Sequence, residues 1–152
     1  MHLREFFAAA AILVAIASGT ELSAQEARQY INERSAASPG GPPFSGAVMV
    51  GNTLYLSGML GVGSGLALTV EQEAAAVLNN VQDVLEAAGM TMDDLVSVQI
   101  FASDLSTYDT FNAVYRDYFL REFPARAFIG TGELLQGARF EVMGVAAKRP
   151  AQ

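Results

Sequence analysis

The sequence predicts an α+β fold, a mixed sheet with two helices packed on one of its faces. Three observations predict it. Two stretches, 69–89 and 104–120, carry apolar residues at helical spacing. Five short β-rich runs surround them in the order β-β-α-β-α-β-β, with room for a short strand ahead in 25–38. Gly-, Pro- and Asn-rich segments separate the runs. Two helices of similar length cover one sheet face. The Val, Ile and Phe content of the strands leaves the other face in need of cover, so the pattern itself predicts oligomerisation.

Residues 1–24 read as a secretory signal rather than part of the fold. Arg4 precedes the apolar run Phe6–Ala17, and Leu22-Ser23-Ala24 resembles a small-residue cleavage site. The run is shorter than the roughly 20 residues that span a bilayer. The expected product is exported, to the periplasm, with no membrane attachment after cleavage. Residues 25–38 form a polar N-terminal lead or short strand, and 39–152 a single domain.

SPGGPP (38–43) is a turn-rich loop. AVMV (47–50) and TLYLS (53–57) flank Gly51-Asn52 and read as a hairpin. GVGSG (61–65) is a loop; a dinucleotide fingerprint starting at Gly61 needs glycine at 66, where Leu66 stands. The helix at 69–89 is announced by Thr69 with Gln72, a capping box. Its buried stripe is Val70, Ala74, Val77, Leu78, Val81, Val84, Leu85 and Ala88, and Gly89 stops it. Glu71, Asp83 and Glu86 form its solvated face. Thr91–Asp94 is a turn or short helical cap, LVSVQIFA (95–102) a strand, and Asp104–Leu120 contains the second helix, with Phe111, Val114, Tyr115 and Tyr118 buried. ARAFIGT (125–131) and ARFEVMGVAA (138–147) are the last two strands, read as neighbours.

Several function classes are excluded. The only His is His2, and there is no Cys. The mature chain therefore has no Ser-His-Asp triad, Cys-His pair, disulfide, or His- or Cys-ligated zinc site. The sole Lys is Lys148 and no phosphate-binding GxxxxGK[ST] loop exists. A net charge of −7 argues against a nucleic-acid partner.

Two charges stand inside apolar strands, Arg126 and Glu141. Charged groups are rarely buried without a partner. The plain reading makes Arg126 a surface or ion-pair residue and pairs Glu141 with Arg139 or Arg126. Asn112, read alone, is a helix-surface or packing amide, and Ser57 a strand-end turn residue.

PFSGAVMVGNTLYLSG (43–58), LEAAG (85–89), FNAVYRDYF (111–119), FPAR (123–126) and GARFEV (137–142) together resemble the RidA (YjgF) reactive intermediate deaminase family. The resemblance covers about residues 39–149. It implies a chorismate-mutase-like fold assembled as a homotrimer, with sites at subunit interfaces. It also implies hydrolysis of 2-imino and enamino acids to 2-oxo acids and ammonia, as in a 2-iminobutanoate/2-iminopropanoate deaminase, without metal or organic cofactor. Residue by residue, it implies that Arg126 holds the substrate carboxylate and Glu141 manages the attacking water. Ser57 and Asn112 take supporting polar roles, and Phe44 and Phe128 line the pocket. The sequence departs from the family pattern at four points. Phe44 replaces a frequent Tyr, Met59 a frequent Gln, Phe128 a small residue or Cys, and Leu135 a frequent Pro. These changes imply a smaller or more apolar pocket. The alternative is a non-catalytic binder of small carboxylates at the same trimer interface; an RNA-directed role conflicts with the acidic charge and missing His.

Overall fold

The hairpin predicted around Gly51-Asn52 lies inside one six-stranded sheet. A computed structural model describes residues 27–32, 40–62 and 67–149. The expected signal, most of the expected lead and the later part of the GVGSG loop lie outside the described residues. In chain order the elements are β1 (Arg28–Ile31), β2 (Ala47–Val50), β3 (Thr53–Leu60), α1 (Val70–Ala87), β4 (Leu95–Ala102), α2 (Tyr108–Arg116), β5 (Ala125–Gly130) and β6 (Phe140–Ala147). The strand order is β1-β2-β3-β6-β4-β5.

α1 forms where its end signals place it. Thr69 Oγ1 accepts from the Gln72 amide at 3.2 Å, and Gln72 Oε1 accepts from the Thr69 amide at 2.9 Å. A cap of this kind stabilises by about 1 kcal/mol. At the other end Gly89 takes φ +68°, so the Met90 amide can reach the Leu85 carbonyl at 2.9 Å. Ala74, Val77, Leu78, Val81, Val84 and Leu85 are buried against Leu54, Leu56, Ile100, Phe140 and Val142 of the sheet.

The helices are not of similar length. α1 has 18 residues and α2 only 9. The apolar pattern runs on through Phe119, but the helix ends at Arg116. Asp93 Oδ1, from the turn before β4, accepts the amides of Leu120 and Arg121 at 3.0 and 3.2 Å. Those amides are thereby held in a non-helical exit, while Phe119 packs on Tyr115 with ring centroids 4.7 Å apart.

The last two strands are not neighbours either. β5 pairs with β4 in parallel, and β6 lies between β3 and β4, antiparallel to both. The cause is connectivity. A parallel pair needs a crossover, which α2 supplies between β4 and β5. α1 carries the chain from β3 to β4 with one strand's width left open, and β6 fills it. The sheet has one face under the helices; on the other, Tyr55, Ile129 and Met143 stay exposed.

Candidate functional site

Arg126 sits on edge strand β5, opposite Val98 of β4. Val98 is buried under the helices, and paired residues project to the same side of a sheet. Arg126 therefore faces the helix layer. Its Nη2 donates to Asn112 Oδ1 of α2 at 2.6 Å. Its guanidinium lies over the Tyr115 ring at 4.6 Å and approaches the rings of Tyr108 and Phe128 at 5.9 and 6.0 Å. Among the described residues the ion pairs are Arg139–Glu73 and Arg149–Asp94, so Arg126 has no carboxylate partner. One amide and one aromatic face hold the guanidinium in place and leave most of its N–H donors for a planar anion.

The space in front of it is a cavity of about 220 Å³ lined by Tyr108, Asn112, Tyr115, Arg116, Phe123 and Arg126, with Pro124. Phe128, expected to line the pocket, is not one of the lining residues; it meets the Tyr108 wall edge-on at 5.1 Å and Phe111 of the core at 5.6 Å. Tyr115 is both core and wall. Burial pushes its hydroxyl up to about 12, partly offset by the Arg126 charge.

Glu141 stands elsewhere. It pairs with Phe101 of β4 and Leu60 of β3, and Phe101 pairs with Ile129 of β5. This row lies on the face away from the helices. Glu141 is thus a carboxylate within an apolar row, with no ion pair among the described residues. Neither expected partner, Arg139 or Arg126, pairs with it; Arg139 Nη1 instead donates to Glu73 Oε2 at 2.6 Å. The Glu141 carboxylate rests against Gly58, at the register break in β3 between Leu56 and Met59. An irregularity of this kind re-aims side chains near a site.

Ser57 lies in that irregularity. Its hydroxyl donates to the Ser45 carbonyl at 2.7 Å, and its amide to the Gly46 carbonyl at 3.0 Å. Ser57 and Phe44 line a second cleft of about 320 Å³ with Met59, Asn80 and Asp83. Of the six residues singled out in the sequence, Arg126, Asn112 and Phe128 come together. Ser57 and Phe44 share the second cleft, and Glu141 leans on Gly58 beside them. One protomer thus carries two separate groups.

Sequence reasoning missed Tyr108, Phe123 and Arg116 as walls of the Arg126 cavity. One signal was available: Arg116 stands four residues after Asn112, on the same side of a helix.

Comparisons with known proteins show the family. A family model described as Endoribonuclease L-PSP matches residues 35–148. The chain is 36% identical over 112 residues to human 2-iminobutanoate/2-iminopropanoate deaminase, covering 71% of this chain and 82% of that one. It is 38% identical over 107 residues to the protein of the same name from Dermatophagoides farinae, covering 68% and 84%. Among solved structures, a Yersinia pestis protein of the Rid family, YyfA, superposes with a TM-score of 0.71 at 31% identity, over 80% of this chain and all of that one. The Escherichia coli YjgF product gives 0.67 at 31% identity, over 70% and 89%. With its family match, its relatives and its fold in agreement, the chain belongs to the RidA/YjgF family.

Proposed function

We propose that this chain hydrolyses small 2-imino acids, and their enamine tautomers, to 2-oxo acids and ammonia. The site is one formed between copies of the chain. The observation that carries this reading is the Arg126 guanidinium, buttressed by Asn112 and Tyr115 yet without an acidic partner among the described residues. It suits a 2-imino acid's carboxylate, held by two parallel N–H···O bonds. The names of the relatives, imine deaminases, supply the reaction class.

In the reaction, water adds to the C=N carbon and the nitrogen leaves as ammonia, giving the oxo acid. A carboxylate beside the carbon takes a proton from the water as it attacks and returns one to the departing nitrogen. Glu141 is that carboxylate in this reading. It reaches the substrate from a neighbouring copy, because it faces away from Arg126 in its own chain. The exposed Tyr55, Ile129 and Met143 on the Glu141 face support packing of that face against other copies, as a trimer.

The test couples purified protein to an L-amino-acid oxidase and follows capture of the imine by semicarbazide. Faster loss of imine, abolished in Arg126→Ala, is expected; no acceleration rejects the reading.

A second reading has one observation in its favour. Phe44 is 54% exposed in the Ser57 cleft and brings no hydroxyl there. A carboxylate binder without turnover predicts Arg126-dependent thermal stabilisation by 2-oxo acids and no imine hydrolysis.

A further inference from the structure

Arg116 has no role in the reading above, yet it lines the same cavity as Arg126. It is exposed, one helical turn after Asn112, and its guanidinium stands over the Phe123 ring at 5.8 Å. It has no carboxylate partner among the described residues. One small cavity is therefore lined by two arginines, each guanidinium laid against an aromatic face and neither neutralised by a described carboxylate. Like charges sharing a site repel one another, and an anion between them relieves that cost. Stacking on a ring leaves a guanidinium's N–H edge available. The chain as a whole is acidic, with a net charge of −7, so a doubly charged anion needs a local pair of cations to offset the overall repulsion.

We propose that Arg116 is a second carboxylate contact, and that the site takes the imines of acidic amino acids, diacids of the 2-iminoglutarate type. This rests on the deaminase reading. Arg126 holds the carboxylate next to the imine carbon, and Arg116 holds the one at the far end of the side chain. The aromatic walls, Tyr108, Tyr115 and Phe123, pack on the methylenes between them. A monoacid such as 2-iminobutanoate leaves Arg116 uncompensated and so is the poorer substrate.

The experiment compares two imines on the full-length protein. L-Glutamate oxidase makes 2-iminoglutarate, and an L-amino-acid oxidase makes 2-iminobutanoate from 2-aminobutanoate. The wild type is expected to prefer the diacid in kcat/KM, and Arg116→Gln to lower the diacid-to-monoacid ratio about tenfold or more. Arg116→Lys restores part of it. In parallel, calorimetry measures binding of 2-oxoglutarate and 2-oxobutanoate; Arg116→Gln weakens the first more than the second. An unchanged ratio in both measurements overturns the proposal. A changed assembly mass in Arg116→Gln with unchanged ratios also overturns it, and makes Arg116 a contact between copies. If neither imine is hydrolysed, the deaminase reading fails, and the calorimetric comparison still decides whether the second anion contact exists.

Discussion

Arg126 and Glu141 lie on opposite faces of one sheet, with β4 between their strands. On β4, Arg126 is opposite Val98 and Glu141 is opposite Phe101. Val98 and Phe101 are an odd number of residues apart, and side chains alternate along a strand. The two groups therefore cannot converge on a small substrate inside one protomer.

The contact between Glu141 and Gly58 predicts a separation of activity from stability. A Cβ at 58 would stand 2.8 Å from Glu141 Cδ and closer still to Oε1. The far end of a carboxylate side chain gives way more easily than backbone. Gly58→Ala is expected to displace Glu141 and cut kcat at least tenfold, with urea-measured stability within about 1 kcal/mol of wild type. A large stability loss with kcat retained would show that Gly58 serves packing instead.

Glu73 is the charge the fold has absorbed. It is 1% exposed, and besides Arg139 Nη1 it accepts the Arg139 amide just ahead of β6. Arg139 is half open to water, with 41% of its side chain exposed. The cost of breaking the pair thus falls at the low end for buried pairs. Glu73→Ala is expected to destabilise by about 3 kcal/mol in urea unfolding. A loss under about 1 kcal/mol contradicts the assigned role.

The Tyr115 hydroxyl has no hydrogen-bond partner among the described residues, and its value is raised from 10.0 to about 12. A raised value means that the folded state holds the proton more tightly than the unfolded chain. The stabilising contribution is complete below about pH 10 and is lost as pH rises through about 12. Absorbance titration of the phenols should therefore show a step near 12 that is absent in Tyr115→Phe. That variant keeps the ring under Arg126 and removes an unpaired buried hydroxyl, so its stability near neutral pH should be unchanged or about 1 kcal/mol higher. Marked destabilisation would mean that the hydroxyl has a partner.

Much of this was legible in the sequence, and the misses have physical causes. Thr69, Gln72 and Gly89 fix α1 through contacts within a few residues, which a local pattern records. The order of strands depends on which slot a crossover leaves open, and no local pattern records that; β5 and β6 were thus read as neighbours. The short α2 has the same cause, since Asp93 stops it from 27 residues away in sequence. Glu73 did leave a signal. It stands four residues before Val77, on the buried stripe, where an acid needs a buried partner. For the site, motif resemblance singled out Arg126, Asn112 and Glu141. Their division between two sheet faces became visible only with the strand order. Asn112, read alone as a surface or packing amide, is the support of Arg126.

Subunit complementation measures the central claim most directly. Arg126→Ala and Glu141→Gln are each expected to be folded, assembled as wild type, and inactive. Mixed and allowed to exchange subunits in equal amounts, they should regain about a quarter of wild-type imine hydrolysis, because random assembly joins an intact Arg126 to an intact Glu141 from another copy at that frequency. A mixture that exchanges subunits yet stays as inactive as either variant alone would contradict a site shared between copies.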